Sequence, residues 1–403
     1  MRACLLASRS EPRSPCLVPK TMLMPDIATI LIGGDLCPIE GNRPYFEQGD
    51  ARNLFNDLLP EFDQAGLVIA NLECPLIDKP TPILKTGPVF GPPSACINGI
   101  KQAGIDVLCL ANNHILDHGA PGLANTLAVC ANAGIATVGA GENLPAARRI
   151  LIREVRGRRI AILALAEHEF SIATKNSWGA NPLDLIDYVR NVNSNRSNYD
   201  YLIVLLHGGD EFHVPSPRLQ DTCRFMVEMG ANAVIVQHPH CLGGYEQYRG
   251  GHIVYGQGAL IMDEPIYRNL KSFHEGFLVK LTIADDPPSI METVPYVQSA
   301  SAPGARKVVG AEEQQFRRAL QERANAIGDE GFVLRQWLEF CDTNKHGYLS
   351  CLLGHNRVLQ KLNKAGFIEK FLHGKRPLLG ARNIVSCETH REVIETIFNH
   401  QLI

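Results

Sequence analysis

The sequence predicts an α/β layered fold followed by a small helical module, and three observations carry that prediction. From Ile27 to about Val297, short β-branched runs alternate with helix-like stretches, the pattern of sheets layered with helices. Two of the intervening stretches, 119–133 and 218–229, place apolar residues at helical spacing and stop at Gly134 and Gly230, as left-handed C-caps do. Near Ser299 the composition turns to a Ser/Ala/Pro/Gly linker, after which the chain reads as helix.

In chain order the expected strands are 29–33, 67–71, 106–111, 135–138, 160–164, 201–206, 233–236, 253–256 and 277–282. The expected helices of the tail are 312–326, 333–340, 355–365 and 390–400. A chain of 403 residues accommodates two such modules. The organisation expected is a disordered leader over 1–26, a main α/β domain over 27–298 and a helical extension over 299–403.

Composition narrows the function. Lys and Arg total 39 against 42 Asp and Glu, a net charge of −3, which gives no basic footprint for nucleic acid or for an anionic membrane. The twelve cysteines are scattered, several within apolar runs such as Val107-Leu108-Cys109-Leu110, and none form a CxxC pair. They read as buried thiols of a reducing compartment, so the cytoplasm is the expected location. The run Ala3–Ala7 is too short for the core of a secretory signal. No segment approaches the roughly 20 apolar residues of a membrane helix, so no integral membrane segment is expected.

Five expected strands run directly into polar residues: Gly34-Asp35, Asn71-Leu72-Glu73, Asn112-Asn113-His114, His207-Gly208-Gly209-Asp210-Glu211 and His238-Pro239-His240. Ligands of open α/β sheets bind beyond the carboxyl ends of the strands, so one site can receive all five. A mixture of carboxylate, amide oxygen and imidazole suits zinc, manganese or iron better than magnesium or calcium. Two ions sharing a carboxylate account for so many donors and would suit phosphoryl transfer. Taken singly, each motif reads as a turn, a capping group or a satisfied core histidine. It is the ordered set that points to a metal site.

These motifs, together with Asp117-His118-Gly119 and Gly139-Ala140-Gly141, resemble those of the CapA, or poly-γ-glutamate capsule synthesis, family of the calcineurin-like metallophosphatase superfamily. The resemblance spans about 27–263. It implies a four-layer α-β-β-α sandwich holding two divalent metal ions. Asp35 and His240 would ligate one ion, Glu73 would bridge, and Asn113, His207 and His238 would ligate the other. His114 would act as the acid beside the leaving oxygen, and Glu211 would orient a histidine or touch substrate. The implied activity is hydrolysis or transfer at a phosphate ester or anhydride, with a phosphorylated or polyanionic substrate.

Two other readings follow from the same resemblance: metal-assisted cleavage or transfer of an amide in poly-γ-glutamate, and a non-catalytic accessory role in a capsule machine. The sequence names no protein partner. Three departures from the family pattern stand out. Cys37 occupies the place of a histidine ligand, implying a weaker first ion or a soft thiol ligand. Gly91, after Lys85 and Phe90, replaces an arginine. Tyr255-Gly256-Gln257-Gly258-Ala259-Leu260 lacks the family's asparagine. His168 is expected at the rim, and the stretch Asp342–Leu349 imitates a calcium loop without its required acidic twelfth position. The segment 387–392 is expected to be a helix start packed on the main domain.

Overall fold

The computed structural model describes residues 27–284, 289–353 and 375–401. The expected leader 1–26 and the expected helix 355–365 lie outside these. Two sheets face one another. The first contains β1 (Ala28–Leu36), β2 (Leu67–Leu72), β3 (Val107–Cys109), β4 (Ala136–Val138), β13 (Ala259–Ile261), β14 (Glu275–Ile283), β15 (Ser289–Gln298) and β16 (Ala305–Lys307), in the order β16-β15-β14-β1-β2-β3-β4 with β13 beside β1. The second runs β11 (Tyr245–Tyr248), β12 (Gly251–Val254), β10 (Ala233–Gln237), β9 (Tyr201–His207), β7 (Arg158–Ala166), β6 (Leu151–Val155). A short antiparallel pair, β5 (Ala140–Gly141) and β8 (Gly179–Ala180), forms a separate two-stranded sheet.

The two-residue period of a strand sorts the core. In β7 and β9, Ile160, Ile162, Ala164, Ile203 and Leu205 belong to the apolar cluster shared with the first sheet. Their neighbours Ala161, Leu163, Leu165, Leu202, Val204 and Leu206 pack with Tyr188, Val192, Leu219, Cys223 and Met226 of the helices Leu185–Asn195 and Pro217–Glu228. The first sheet buries its other face beneath helices such as Arg43–Gln48, Ile97–Gln102 and Gly119–Ala133. The result is the four-layer α-β-β-α sandwich expected from the resemblance.

Each expected strand lies on an observed one. Strands β5, β6, β8, β11, β13, β15 and β16 were not expected. The stretch read as a linker after Ser299 is in part a strand, because Ala305–Lys307 pairs antiparallel with Tyr296–Gln298. The tail then forms the helices Gly310–Ile327, Glu330–Leu353, Lys375–Ser386 and Glu388–Gln401. The second extends well past the expected 333–340, so the calcium-loop look-alike at 342–349 is helix. No helix among the described residues is long and apolar enough to cross a membrane.

Candidate metal centre

The parallel strands β1, β2, β7, β9 and β10 end on one edge of the sandwich, with β3 beside β2. Asp35 sits at the end of β1. Gly34 before it is required by crowding, since a Cβ there would lie 2.0 Å from the Gly258 carbonyl oxygen. Asp35, Glu73, His207, His238 and His240 are all buried. Glu73 is central: its carboxylate lies 3.4 Å from His207 Nε2, 3.9 Å from His238 Nδ1 and 3.7 Å from His240 Nε2. Asp35 Oδ2 is 3.3 Å from His240 Nδ1 and accepts from the His238 backbone N–H at 3.0 Å.

His238 and His240 have φ values of +98° and +49°, a left-handed region costing about 1–3 kcal/mol for residues of this kind. Flanking Pro239, both imidazoles are thereby turned toward Glu73. Buried amides complete the frame. Asn112 Nδ2 donates to Asn71 Oδ1 (3.1 Å) and to the Leu72 carbonyl (2.8 Å), and Asn71 Nδ2 donates to Asp35 Oδ1 (2.7 Å). Asn113 Oδ1 lies 3.1 Å from His207 Nε2, while its Nδ2 donates to Glu169 Oε2 at 3.3 Å.

His114 is held from behind. Its Nδ1 bonds Asp117 Oδ2 at 2.7 Å, and Lys85 Nζ donates to Asp117 Oδ1 at 2.6 Å. Phe90 donates its backbone N–H to Asp117 and lays its ring 4.5 Å from the imidazole. At Gly91 a Cβ would come within 2.4 Å of His118 Nε2, so an arginine has no room there. A cavity of about 310 Å³ opens over Glu73, Asn113, His114, Glu211, His238 and His240. Asp35 and His207 lie behind its wall. Glu211 accepts from the Tyr267 hydroxyl. The structure thus gathers all eight expected site residues at one edge.

The electrostatics favour a cation. Burial would raise Glu73, yet the surrounding imidazoles hold it well below the carboxylate range. Burial would lower His238, but Glu73, Glu169 and Glu211 push it up to about 10, and Glu73 and Asp35 likewise push His240 up to about 9. Glu73 Oε2, His238 Nδ1 and His240 Nδ1 are buried with no hydrogen-bond partner. Donor atoms of Glu73, His207 and His238 lie within 4.8 Å of one another, as do those of Asp35, Glu73 and His240. Two donor groups sharing one carboxylate, with buried polar atoms among them that make no hydrogen bond, fit divalent cations that would displace the imidazole protons. Cys37 is in none of these groups among the described residues. Burial and its neighbour Cys74 push its thiol up, and its sulfur does not join the Asp35, Glu73 and His240 donor atoms.

Beside this centre lies a second buried cluster. Arg218 donates to Glu167 Oε1 (2.5 Å), Thr389 Oγ1 (2.8 Å) and Glu392 Oε2 (3.0 Å). Ser216 also donates to Glu392, and Cys387 Sγ to Glu167 Oε2 at 3.5 Å. His168 bonds Glu388 through Nδ1 (2.5 Å) and its backbone N–H (2.8 Å). The segment 387–392 therefore packs on the main domain as expected. The tail also does more than that, because Phe340, Asn383 and His390 line the candidate-site cavity.

Those tail residues, and Glu169 and Asp210, were missed by sequence reasoning. Against burial, which would raise it, His390, His238 and Asn113 push Glu169 down to about 2; burial pushes Asp210 up to about 7. A signal for Glu169 existed: β7 also runs into polar residues, Glu167-His168-Glu169, in the same way as the five strands singled out.

Comparison with known proteins places these features in context. Residues 29–264 match the sequence model described as Bacterial capsule synthesis protein PGA_cap. The capsule biosynthesis protein CapA of Bacillus anthracis is 28% identical over 275 residues, covering 66% of this chain and 63% of that protein. The PGA biosynthesis protein CapA of Bacillus subtilis (strain 168) is 29% identical over 230 residues, covering 54% and 59%. The chain thus spans less than two thirds of the length of either relative. Among solved structures, a 5'-nucleotidase precursor from Thermus thermophilus aligns at 13% identity with a TM-score of 0.40, covering 75% of this chain and 59% of that one.

Proposed function

Because the chain belongs to the bacterial capsule synthesis protein family PGA_cap, with a match over residues 29–264, we propose that it is a metal-dependent phosphoesterase-type hydrolase serving capsule or poly-γ-glutamate synthesis. The observation that carries this reading is the pair of donor groups sharing Glu73. Asp35 and His240 would hold one ion, Asn113, His207 and His238 the other, and Glu73 both. Zinc, manganese or iron suits this donor set. When bound, such ions supply Lewis acidity and lower the pKa of water at the site.

The residues of the chain do the rest. Asp117 accepts from His114 Nδ1, so Nε2 faces the cavity, and when the ring carries a second proton there it can pass that proton to a leaving oxygen and remain neutral with Nδ1–H on Asp117. Lys85 is committed to Asp117, which fixes that carboxylate against both partners. The outer wall presents Glu169, Asp210, Glu211 and Glu264. These acidic groups favour a compact phosphate ester that offers hydrogen-bond donors around the scissile bond over a long polyanion threaded through the cavity. Buried free thiols, Cys37 beside Cys74 among them, support a cytoplasmic location.

The test is metal analysis of the purified protein together with turnover of a chromogenic phosphodiester and monoester. Metal-dependent turnover that is lost in Asp35→Asn and His114→Ala supports the proposal. Tightly bound metal with amide cleavage alone, or no metal at all, would overturn it.

A further inference from the structure

We propose that His390, carried by the C-terminal helices, is a positioning residue that sets the orientation of the Asn113 amide by way of Glu169. This rests on the reading of Asn113 as a metal ligand. A side-chain amide has an oxygen end and a nitrogen end, and only the oxygen can bind a cation. What decides the matter is where the nitrogen is anchored. Asn113 Nδ2 donates to Glu169 Oε2 at 3.3 Å, which turns Oδ1 toward His207 Nε2, 3.1 Å away. Glu169 is steadied in turn: its Oε1 faces His390 Nε2 at 3.6 Å. The imidazole is pinned at its opposite end, where Nδ1 lies 2.9 Å from the Tyr348 hydroxyl.

The relay therefore runs from Tyr348 in the helix Glu330–Leu353, through His390 in the helix Glu388–Gln401, to Glu169 beyond β7 and Asn113 beyond β3. Both tail residues lie past residue 264, where the family match ends. The tail would act on the metal centre as a clamp that keeps one ligand facing inward, a role usually taken by partners that orient a ligand from behind.

Calorimetric titration of the full chain with Mn²⁺ tests this. The wild type should bind two equivalents, and Asn113→Ala should lose tight binding of one. His390→Phe and Glu169→Gln should weaken that same equivalent about 10–100-fold and leave the other unchanged. His390→Gln, which can place an N–H donor toward Glu169, should retain more affinity than His390→Phe. Tyr348→Phe, which loses one hydroxyl, should weaken it about fivefold. Selective loss of one equivalent is an effect that general loosening of the fold would not produce. Wild-type affinity in both His390→Phe and Tyr348→Phe overturns the relay alone. Equal weakening of both equivalents, with a lower metal-free unfolding midpoint, also overturns it. A wild type that binds no Mn²⁺ overturns the reading of Asn113 as well.

Discussion

Two buried charged clusters lie side by side at the strand ends, and they solve the problem of buried charge in opposite ways. Around Glu167 the charges meet within the protein: Arg218 reaches Glu167, Thr389 and Glu392, and Ser216 adds a further bond to Glu392. Around Glu73, acids and imidazoles crowd together at ion-pair distances while Glu73 Oε2, His238 Nδ1 and His240 Nδ1 make no hydrogen bond. A buried charge that is paired holds structure together, whereas one left short of partners is held in readiness for a ligand. Burial alone does not separate the two cases. The count of buried polar atoms left without a hydrogen bond does.

That contrast can be broken from either side. The largest effect is expected for Glu73→Gln, which removes the carboxylate common to both donor groups. Metal affinity should fall by about a thousandfold, beyond the roughly 100-fold that losing an outer partner costs, and equilibrium dialysis would measure it. The metal-free protein should keep its unfolding midpoint. Retained affinity would remove the distinction between the clusters.

Arg218→Met should do the reverse. It strands Glu167 in the interior and should cost about 3 kcal/mol of stability by urea unfolding, while metal affinity holds. Adding Glu167→Gln should recover much of that loss. If Arg218→Met instead abolished metal binding with little change in stability, the two clusters would be a single site.

Asn71→Leu falls between. It leaves Asp35 Oδ1 and an Asn112 donor unpaired and should cost about 2 kcal/mol. Because Asp35 then loses its orienting bond, metal affinity should drop with stability, a mixed signature that neither of the first two variants gives.

The smallest effect is one of pH. His168 is raised above its ordinary value by its bond to Glu388. Its folded pKa exceeds its unfolded one, so its contribution is complete below about 6.5 and is lost as pH rises through the folded value. Hydrogen exchange of the last helix should accelerate across that window, and His168→Gln should flatten the change. An unchanged slope in that variant would show that His168 does not fasten the tail.

Much of this arrangement was legible in the chain itself. Apolar runs bounded by turn residues located β1, β2, β3, β4, β7, β9, β10, β12 and β14, because a strand buried on both faces leaves a continuous apolar signature. Strands such as β6, β11 and β15 did not announce themselves: Leu151–Val155 and Tyr245–Tyr248 mix charged and apolar residues, as half-exposed strands do. The eight candidate residues were legible because each belongs to a polar motif at a strand end to which the family resemblance assigns a role. Glu169 and His390 were not. Glu169 stands in a strand-end motif to which the resemblance assigns none, and His390 arrives on a helix 221 positions later, brought in by packing that no local pattern encodes.

The bond from the His238 backbone to Asp35 joins positions 203 apart. Closing so long a loop is slow and gains nothing until nearly all the intervening strands have paired. A chain still emerging from the ribosome, with Asp35 and Glu73 exposed but His238 unmade, has no chelating geometry to offer a passing ion. On the proposed reading, loading would wait for the end of folding, and an ion that bound only the finished state would add its binding energy to the stability of a correctly assembled molecule.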